Sequence, residues 1–211
     1  MRESRPVWDR LRSSYDRVAC KYESRFLDEL DSKPRDRELL ARFARSVVDP
    51  VVDIGSGPGH IGAFVRAHGR TVFGLDLSEE MAGLAAWRLG SAVTADMRRL
   101  PFARGVVGGV VAFYAVIHLP RPDVSAALEE FHRVLRPGGR VLLSAHEGEG
   151  LIERDDFLDE AVPFVATLFN LEELVEATSA AGFEVEIAER RPSYDSESGT
   201  VRLYLEAERR R

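Results

Sequence analysis

Three glycines at alternate positions close an apolar run in Val51-Val52-Asp53-Ile54-Gly55-Ser56-Gly57-Pro58-Gly59. Glycines at 55, 57 and 59 make a turn free of β-carbons, so a ligand can come close to the backbone and meet the N–H groups that open the next helix. Asp76 ends the following apolar run, about 20 residues after Gly55, where an acid accepts hydrogen bonds from ribose hydroxyls. Asp96 ends a third run in Ala95-Asp96-Met97; its carboxylate suits the exocyclic amine of a purine, with Met97 and Leu77 as apolar flanks. His118 lies just past a fourth run and His146 just past a fifth. An unperturbed imidazole titrates near neutrality, so both are candidate general bases, His118 first. Taken singly, each residue also has a plain reading: a Gly-rich turn, a surface acid, a turn aspartate, a packing histidine. Taken in order, they describe a nucleoside site at the ends of strands.

Such a site needs strands laid side by side with their carboxyl ends together. The stripe Val7, Leu11, Tyr15, Val18, Tyr22, Phe26 and Leu30 predicts a helix over Pro6–Leu30, and Pro34 starts a second. Short apolar strands are then expected at Pro50–Ile54, Thr71–Leu75, Ser91–Ala95, Gly109–Val116 and Arg140–Ala145. Helices fall between them: His60–His68 stopped by Gly69, one capped by Ser78 and ended by Gly90, and Asp123–Leu135 closed by Pro137-Gly138-Gly139. Residues 146–169 show no clear period; Asn170 caps a helix that ends near Gly182. Two alternating strands, Phe183–Ala188 and Thr200–Glu206, finish the chain around the polar loop Glu189–Gly199. Strands alternating with helices predict an α/β fold, a doubly wound sheet covered on both faces. The expected organisation is a single domain over 1–211, with an N-terminal helical cap at 1–48 and an inserted segment at 146–169 beside the substrate.

The composition is that of an ordinary globular chain: 211 residues, 45% hydrophobic, 30% charged. The net charge of -6 argues against a nucleic-acid partner. The single cysteine, Cys20, cannot form an internal disulfide and points to a reduced, cytoplasmic setting. No apolar run is long enough to span a membrane, and MRESRPVWDRLRSSYDR lacks the apolar core of a signal peptide. The Arg-rich stretches Met1–Arg17 and Glu206–Arg211 read as solvated, partly frayed ends. No Cys/His cluster has metal-ligand spacing, and the acids Asp155, Asp156, Asp159 and Glu160 read as a solvated face.

The motifs together resemble those of the class I S-adenosylmethionine-dependent methyltransferases, in their small-molecule branch. VVDIGSGPG (51–59), with Asp53, Gly55, Ser56, Gly57 and Gly59, looks like motif I. Asp76 in GLDLSEEM resembles the family's ribose acid, and Met81 the residue that packs near the adenine. TADMRRLPF (94–102) is similar to the adenine-contacting segment, VVAFYAVIHL (110–119) to the fourth-strand motif, and FHRVLRPGGRVLLS (131–144) to the segment around the fifth strand. SYDRVACKYESRF (14–26) resembles the helix that folds over the methionine end of the cofactor, with Tyr15 and Tyr22 in the aromatic places. The resemblance implies a Rossmann-like seven-stranded sheet, mostly parallel with an antiparallel last strand, and S-adenosyl-L-methionine as cofactor. It implies methyl transfer to an oxygen or nitrogen of a small molecule, in the style of bacterial secondary metabolism.

Two rivals remain at this point. A nicotinamide-dependent oxidoreductase would use a similar loop, but the dinucleotide fingerprint wants glycine or alanine where this chain has the bulky His60. A non-catalytic module on the same fold would keep the glycines, Asp76 and Asp96 without turnover. Methyl transfer itself is an in-line displacement, so positioning dominates. Aromatic faces such as Tyr15, Tyr22, Phe113 or Tyr114 suit a sulfonium cation. An oxygen nucleophile calls for a base, whereas an anion or a free amine does not.

Overall fold

The computed structural model describes residues 7–197 and 199–210, with side chains from residue 10 onward. Pro6, the side chain of Val7 and the outermost residues of both charged ends therefore lie outside the described residues. Helix α1 (Val7–Phe26) is followed by a short 3-10 turn (Glu29–Ser32) and α2 (Pro34–Ser46). The stripe of α1 is buried at Leu11 and Val18. The helix stops four residues short of the expected Leu30. Lys33 precedes a proline, which disfavours α geometry there, and it stands at φ -122°, ψ 73°. Leu30 is still buried, carried inward by the 3-10 turn rather than by the helix.

The central units follow as β1 (Val51–Ile54), α3 (His60–Ala67), β2 (Val72–Asp76), α4 (Glu79–Leu89), β3 (Ala92–Thr94), β4 (Val107–Phe113), α5 (Val124–Val134) and β5 (Leu135–His146). Ser78 caps α4 by accepting from the Met81 N–H, and Gly90 ends it in a left-handed conformation. β1 and β4 are buried along their whole length, as parallel strands with both faces covered must be. β6 (Leu151–Arg154), β7 (Phe164–Thr167), α6 (Leu171–Ala180), β8 (Phe183–Arg191) and β9 (Arg202–Arg209) complete the chain.

Seven strands form one sheet in the order β3-β2-β1-β4-β5-β9-β8. β9 runs antiparallel to both β5 and β8, and the pairs β1–β2, β1–β4, β2–β3 and β4–β5 are parallel. The fold is thus the Rossmann-like, doubly wound sheet with an antiparallel last strand. Strand order reverses between β1 and β4, which opens a crevice at their carboxyl ends. One apolar layer joins Leu128 and Phe131 of α5 to the sheet; the other joins Leu40 and Phe43 of α2 to its opposite face.

One expectation is corrected and two are refined. Glu206–Arg209 is not a solvated end: it is part of β9, inserted between two strands, and Glu206 is buried against Arg140 (3.1 Å). Within Met1–Arg17, Leu11 and Ser14 are buried, while Arg10, Arg12, Ser13 and Arg17 are exposed. Residues 146–169 are not featureless, since β6 and β7 pair antiparallel outside the main sheet, from Leu151 opposite Thr167 to Arg154 opposite Phe164. With only four residues in each strand, this pair is too short to show a period in sequence. Among the described residues, no helix is long and apolar enough to cross a membrane.

Candidate active site

The turn after β1 passes directly over the crevice. Gly55 (φ +64°) lies so close to the turn after β4 that a Cβ there would stand 2.5 Å from Ala115 Cβ. Gly57 (φ +51°) has the same left-handed backbone but open space: a Cβ there would meet only Tyr22, at 3.7 Å. The Gly57 N–H donates to Asp76 Oδ2 (2.8 Å), and the Ser78 N–H donates to Asp76 Oδ1 (2.9 Å). Asp76 thereby ties the loop to the end of β2. Burial pushes its pKa up to about 6 against the pull of these N–H donors.

Two cavities open from this loop. The first, about 330 Å³, is bounded by Gly57, Asp76, Leu77, Ala95, Asp96 and Met97. The second, about 940 Å³, runs under α1 to the β6–β7 pair and to the loop before β9. Tyr15, Tyr22, Gly55, Gly57, Phe113 and His118 border both. The first cavity has side-chain-free backbone on one side, a carboxylate at the ribose position and apolar flanks beyond it, a donor set and shape that fit an adenosyl group.

Not every expected residue reaches the cavities. Asp53 is buried beneath the loop, where its Oδ2 accepts from the Gly62 N–H of α3 (2.8 Å). Burial raises its pKa to about 7, and it lines neither cavity. Gly59 packs under α4 against Ala85, and Met81 is fully buried in α4 instead of facing the adenine side. Ser56 lines the larger cavity. Its hydroxyl oxygen, however, lies 3.1 Å from where a Gly74 Cβ would stand, toward β2. Asp96 borders the smaller cavity, but both its oxygens are held by Arg98, with Nη2 2.6 Å from Oδ2. Burial raises the Asp96 pKa, yet the Arg98 bonds outweigh that and leave it lowered.

His118 and His146 both face the larger cavity, and neither keeps the near-neutral pKa expected of a base. The His118 Nδ1 lies 2.9 Å from the Val165 carbonyl of β7. A carbonyl only accepts, so Nδ1 carries the proton and Nε2 is left to accept from the Tyr15 hydroxyl (2.7 Å). Burial lowers the His118 pKa to about 4. His146 stacks on Tyr114 (ring centroids 5.1 Å apart) and pairs with the Thr200 hydroxyl (3.0 Å). Burial, then the charge of Arg202, lowers its pKa to about 3. Both imidazoles are neutral at physiological pH.

An aromatic wall was not read from the sequence. Tyr15 meets Tyr22 (centroids 5.8 Å) and Phe157 (5.5 Å), and Phe157 meets Phe164 (4.8 Å). Phe157 sits in a turn whose next two residues, Leu158 and Asp159, have positive φ. Glu160 closes that turn and bonds Lys21 (2.6 Å) and Arg17 (3.3 Å) of α1, so the expected solvated acidic face is partly a strap. Tyr15 and Tyr22 were read as aromatic faces; for the rest of the wall the only sequence signal was three phenylalanines, Phe157, Phe164 and Phe169, in a segment without period. Tyr114, at φ +52°, is a further non-glycine residue in left-handed geometry beside the cavities.

Residues 51–139 match the family profile described as a methyltransferase domain. The chain is 32% identical over 145 residues to a ubiquinone/menaquinone biosynthesis C-methyltransferase of Rubrivivax gelatinosus, covering 63% of this chain and 54% of that protein. It is 30% identical over 183 residues to a malonyl-[acyl-carrier protein] O-methyltransferase of Herminiimonas arsenicoxydans, covering 83% of this chain and 66% of that protein. The chain thus spans roughly half to two thirds of the length of these curated relatives. A 1,6-didemethyltoxoflavin-N1-methyltransferase of Burkholderia thailandensis, solved with its substrate and S-adenosylhomocysteine bound, superposes with a TM-score of 0.73. That match has 25% identity and covers 96% of this chain and 88% of that one. Fold, loop geometry and these likenesses agree: the chain belongs to the class I S-adenosylmethionine-dependent methyltransferases.

Proposed function

We propose that this chain, a single domain over residues 1–211, transfers a methyl group from S-adenosylmethionine to an oxygen or nitrogen of a small-molecule acceptor. The observation that supports this reading most is the pair of cavities meeting at Tyr15, Tyr22, Gly57 and Phe113. One is sized and lined for adenosine; the other is large, and walled by aromatic rings. The cofactor, when bound, supplies a methyl already activated on a sulfonium. The protein's part is alignment and exclusion of water. Gly57 and Asp76 would hold the nucleoside, with Leu77, Ala95, Asp96 and Met97 around its base. Tyr15 and Tyr22 would close over the junction of the two cavities. The N-terminal helices (1–48) act as the cap, and 146–169 as the inserted acceptor wall. A cytoplasmic setting fits the single cysteine, Cys20, which is free and exposed. The bacterial secondary-metabolism style of the motifs belongs to this reading as analogy alone.

His118 serves in this reading as a positioning residue. Its Nδ1–H is fixed on Val165, so Nε2 holds the Tyr15 hydroxyl in one orientation. The Tyr15 oxygen keeps acceptor capacity for an O–H or N–H of the substrate. Tyr15→Phe is expected to lower kcat roughly tenfold, the effect of one lost hydrogen bond with its partner left unpaired, while S-adenosylhomocysteine affinity stays within about threefold. Single-turnover rates and calorimetry check this. A kcat inflection near pH 6.5 that vanishes in His118→Asn would show instead that His118 is a base.

Asp76 sets a pH dependence. Its raised pKa means that it takes a proton as pH falls through about 6, losing acceptor capacity that the loop and the ribose share. Affinity for S-adenosylhomocysteine is therefore expected to hold above about pH 7 and to weaken by up to about tenfold per pH unit below 6. Titrations from pH 5 to 8 check the sign; Asp76→Asn should flatten the profile and weaken binding throughout. The activity itself is tested by calorimetry with S-adenosylhomocysteine against NADH, followed by a methyl-transfer screen over small-molecule acceptors. Binding of NADH alone overturns the reading.

A further inference from the structure

The ribbon of β6 and β7 turns one face to the larger cavity. Ile152 stands opposite Ala166 and Arg154 opposite Phe164, so these four share a face, and all four line the cavity. Glu153 and Val165, between them, do not. Such a ribbon is expected to keep its charges on the face away from the enclosed side. Arg154 breaks that pattern: it is a cation placed beside a phenylalanine on the cavity side. It is exposed and, among the described residues, makes no hydrogen bond or ion pair. Arg25 is in the same condition. It lies one turn beyond Lys21, which holds Glu160, and it lines the same cavity with no partner among the described residues. The other cations of the wall are occupied: Lys33 by Glu29 (2.5 Å) and Arg202 by Glu197 (3.4 Å). Of the lining acids, only Asp28 has no side-chain partner among the described residues. Two unpaired cations therefore face one unpaired acid.

A line of rings leads to Arg154 from the junction of the two cavities. Tyr15 meets His118 (centroids 5.2 Å), His118 meets Phe164 (5.6 Å), and Phe164 stands opposite Arg154 with Phe157 at its side. Flat apolar rings favour another ring against them. A free guanidinium fork favours an oxyanion that can take two N–H donors at once. Both imidazoles in the wall are neutral, so they add no charge of their own. We infer that the methyl acceptor is an aromatic molecule with an anionic group at the end remote from its nucleophile, and that Arg154, assisted by Arg25, binds that anion. The inference rests on the methyl-transfer reading and names the acceptor class. The nucleophile then lies by Tyr15, and the ring against Phe164 and Phe157. A carboxylate and a phosphate monoester share this chemistry, and the test separates them.

Calorimetry on the chain saturated with S-adenosylhomocysteine compares three probes. They are a hydroxynaphthoate with its two groups on opposite rings, the matching hydroxynaphthamide and the matching hydroxynaphthyl phosphate. At least one anion is expected to bind about tenfold or more tightly than the amide, and the tighter of the two names the group. Arg154→Met is expected to weaken that anion by roughly 10- to 30-fold, the low end for a charge-assisted contact, and so to erase most of the preference. Its affinity for S-adenosylhomocysteine should stay within about threefold, which also shows that the variant is folded. Arg154→Lys keeps the charge without the fork and should restore part of the preference. Arg25→Met should produce a smaller loss of the same sign. An amide bound as tightly as both anions, a wild type that binds none of the three probes, or a preference that survives Arg154→Met overturns the assignment, while binding of S-adenosylhomocysteine leaves the methyl-transfer reading standing. A wild type that binds no S-adenosylhomocysteine overturns both.

Discussion

Gly57→Val is expected to raise the dissociation constant for S-adenosylhomocysteine by more than about 100-fold, some 3 kcal/mol, and to leave the protein folded. Two effects combine. Gly57 sits at φ +51°, a conformation that costs an L-residue roughly 1–2 kcal/mol and a β-branched one more. The new side chain would also project into the gap between the loop and Tyr22, where the shared lining places ligand. The fold should survive because a Cβ at 57 meets only that ring, at ordinary contact distance. Gly55→Ala makes the contrast: its methyl would stand 2.5 Å from Ala115 Cβ, so it should lower the melting temperature as well as affinity. Calorimetry beside thermal unfolding separates the two. Unchanged affinity in folded Gly57→Val would take the glycine loop out of the binding site.

The sequence was legible where local physics and position coincide. Ser78 and Gly90 bound α4 as their capping chemistry requires, and the five parallel strands announced themselves as short apolar runs. What pattern alone misjudged lay at burial and at long range. His118 looked like a base because imidazole titrates near neutrality; it is the tertiary enclosure by β7 and α1 that lowers its pKa and fills its nitrogens. Asp53 came in with the motif I resemblance, but its carboxylate points to α3, where it accepts from the Gly62 N–H. Met81, also named by the resemblance, is fully buried in α4. Charged residues misled most. The last strand was expected to stop at Glu206, with a frayed end beyond it, but it runs on to Arg209 between two others, which nothing in a string of acids and arginines shows. Phe164 carried no period because β7 is too short to have one, and Phe157 because it sits in a turn.

The same blind spot hides a buried cluster of ion pairs. Arg191, at the end of β8, is largely buried and makes a two-pronged pair with Glu197 (2.8 and 2.9 Å). It also donates to the Tyr204 hydroxyl (2.8 Å) and lies 3.4 Å from Asp36. Asp36 accepts from the same Tyr204 hydroxyl. The cluster ties α2, β9 and the loop after β8 together behind the larger cavity, and Glu197 lies 3.7 Å from Lys33. Arg191→Met keeps the length of the side chain and removes its charge, leaving Asp36 with the Tyr204 hydroxyl and Glu197 with the more distant Arg202 (3.4 Å) and Lys33 (3.7 Å). It is expected to destabilise the protein by about 3–5 kcal/mol near neutral pH, the cost of stranding buried charge. The pH dependence supplies the diagnostic sign. In the wild type, burial would raise the Glu197 pKa, but Arg191 and the Tyr194 N–H outweigh it and hold it at about 2. That carboxylate therefore contributes stability above its unfolded value, lost as pH falls from about 4.5 toward 2. Without Arg191, Glu197 keeps Arg202 (3.4 Å), Lys33 (3.7 Å) and the Tyr194 N–H, but Asp36, whose pKa burial already raises, loses a lowering charge and rises further, so the variant should recover part of its deficit as pH drops from 7 toward 5. Urea denaturation of both proteins across pH 5–8 reads this directly. A variant whose deficit stays constant over that range would mean that the cluster acts through packing alone, with its carboxylates relieved by water rather than by Arg191.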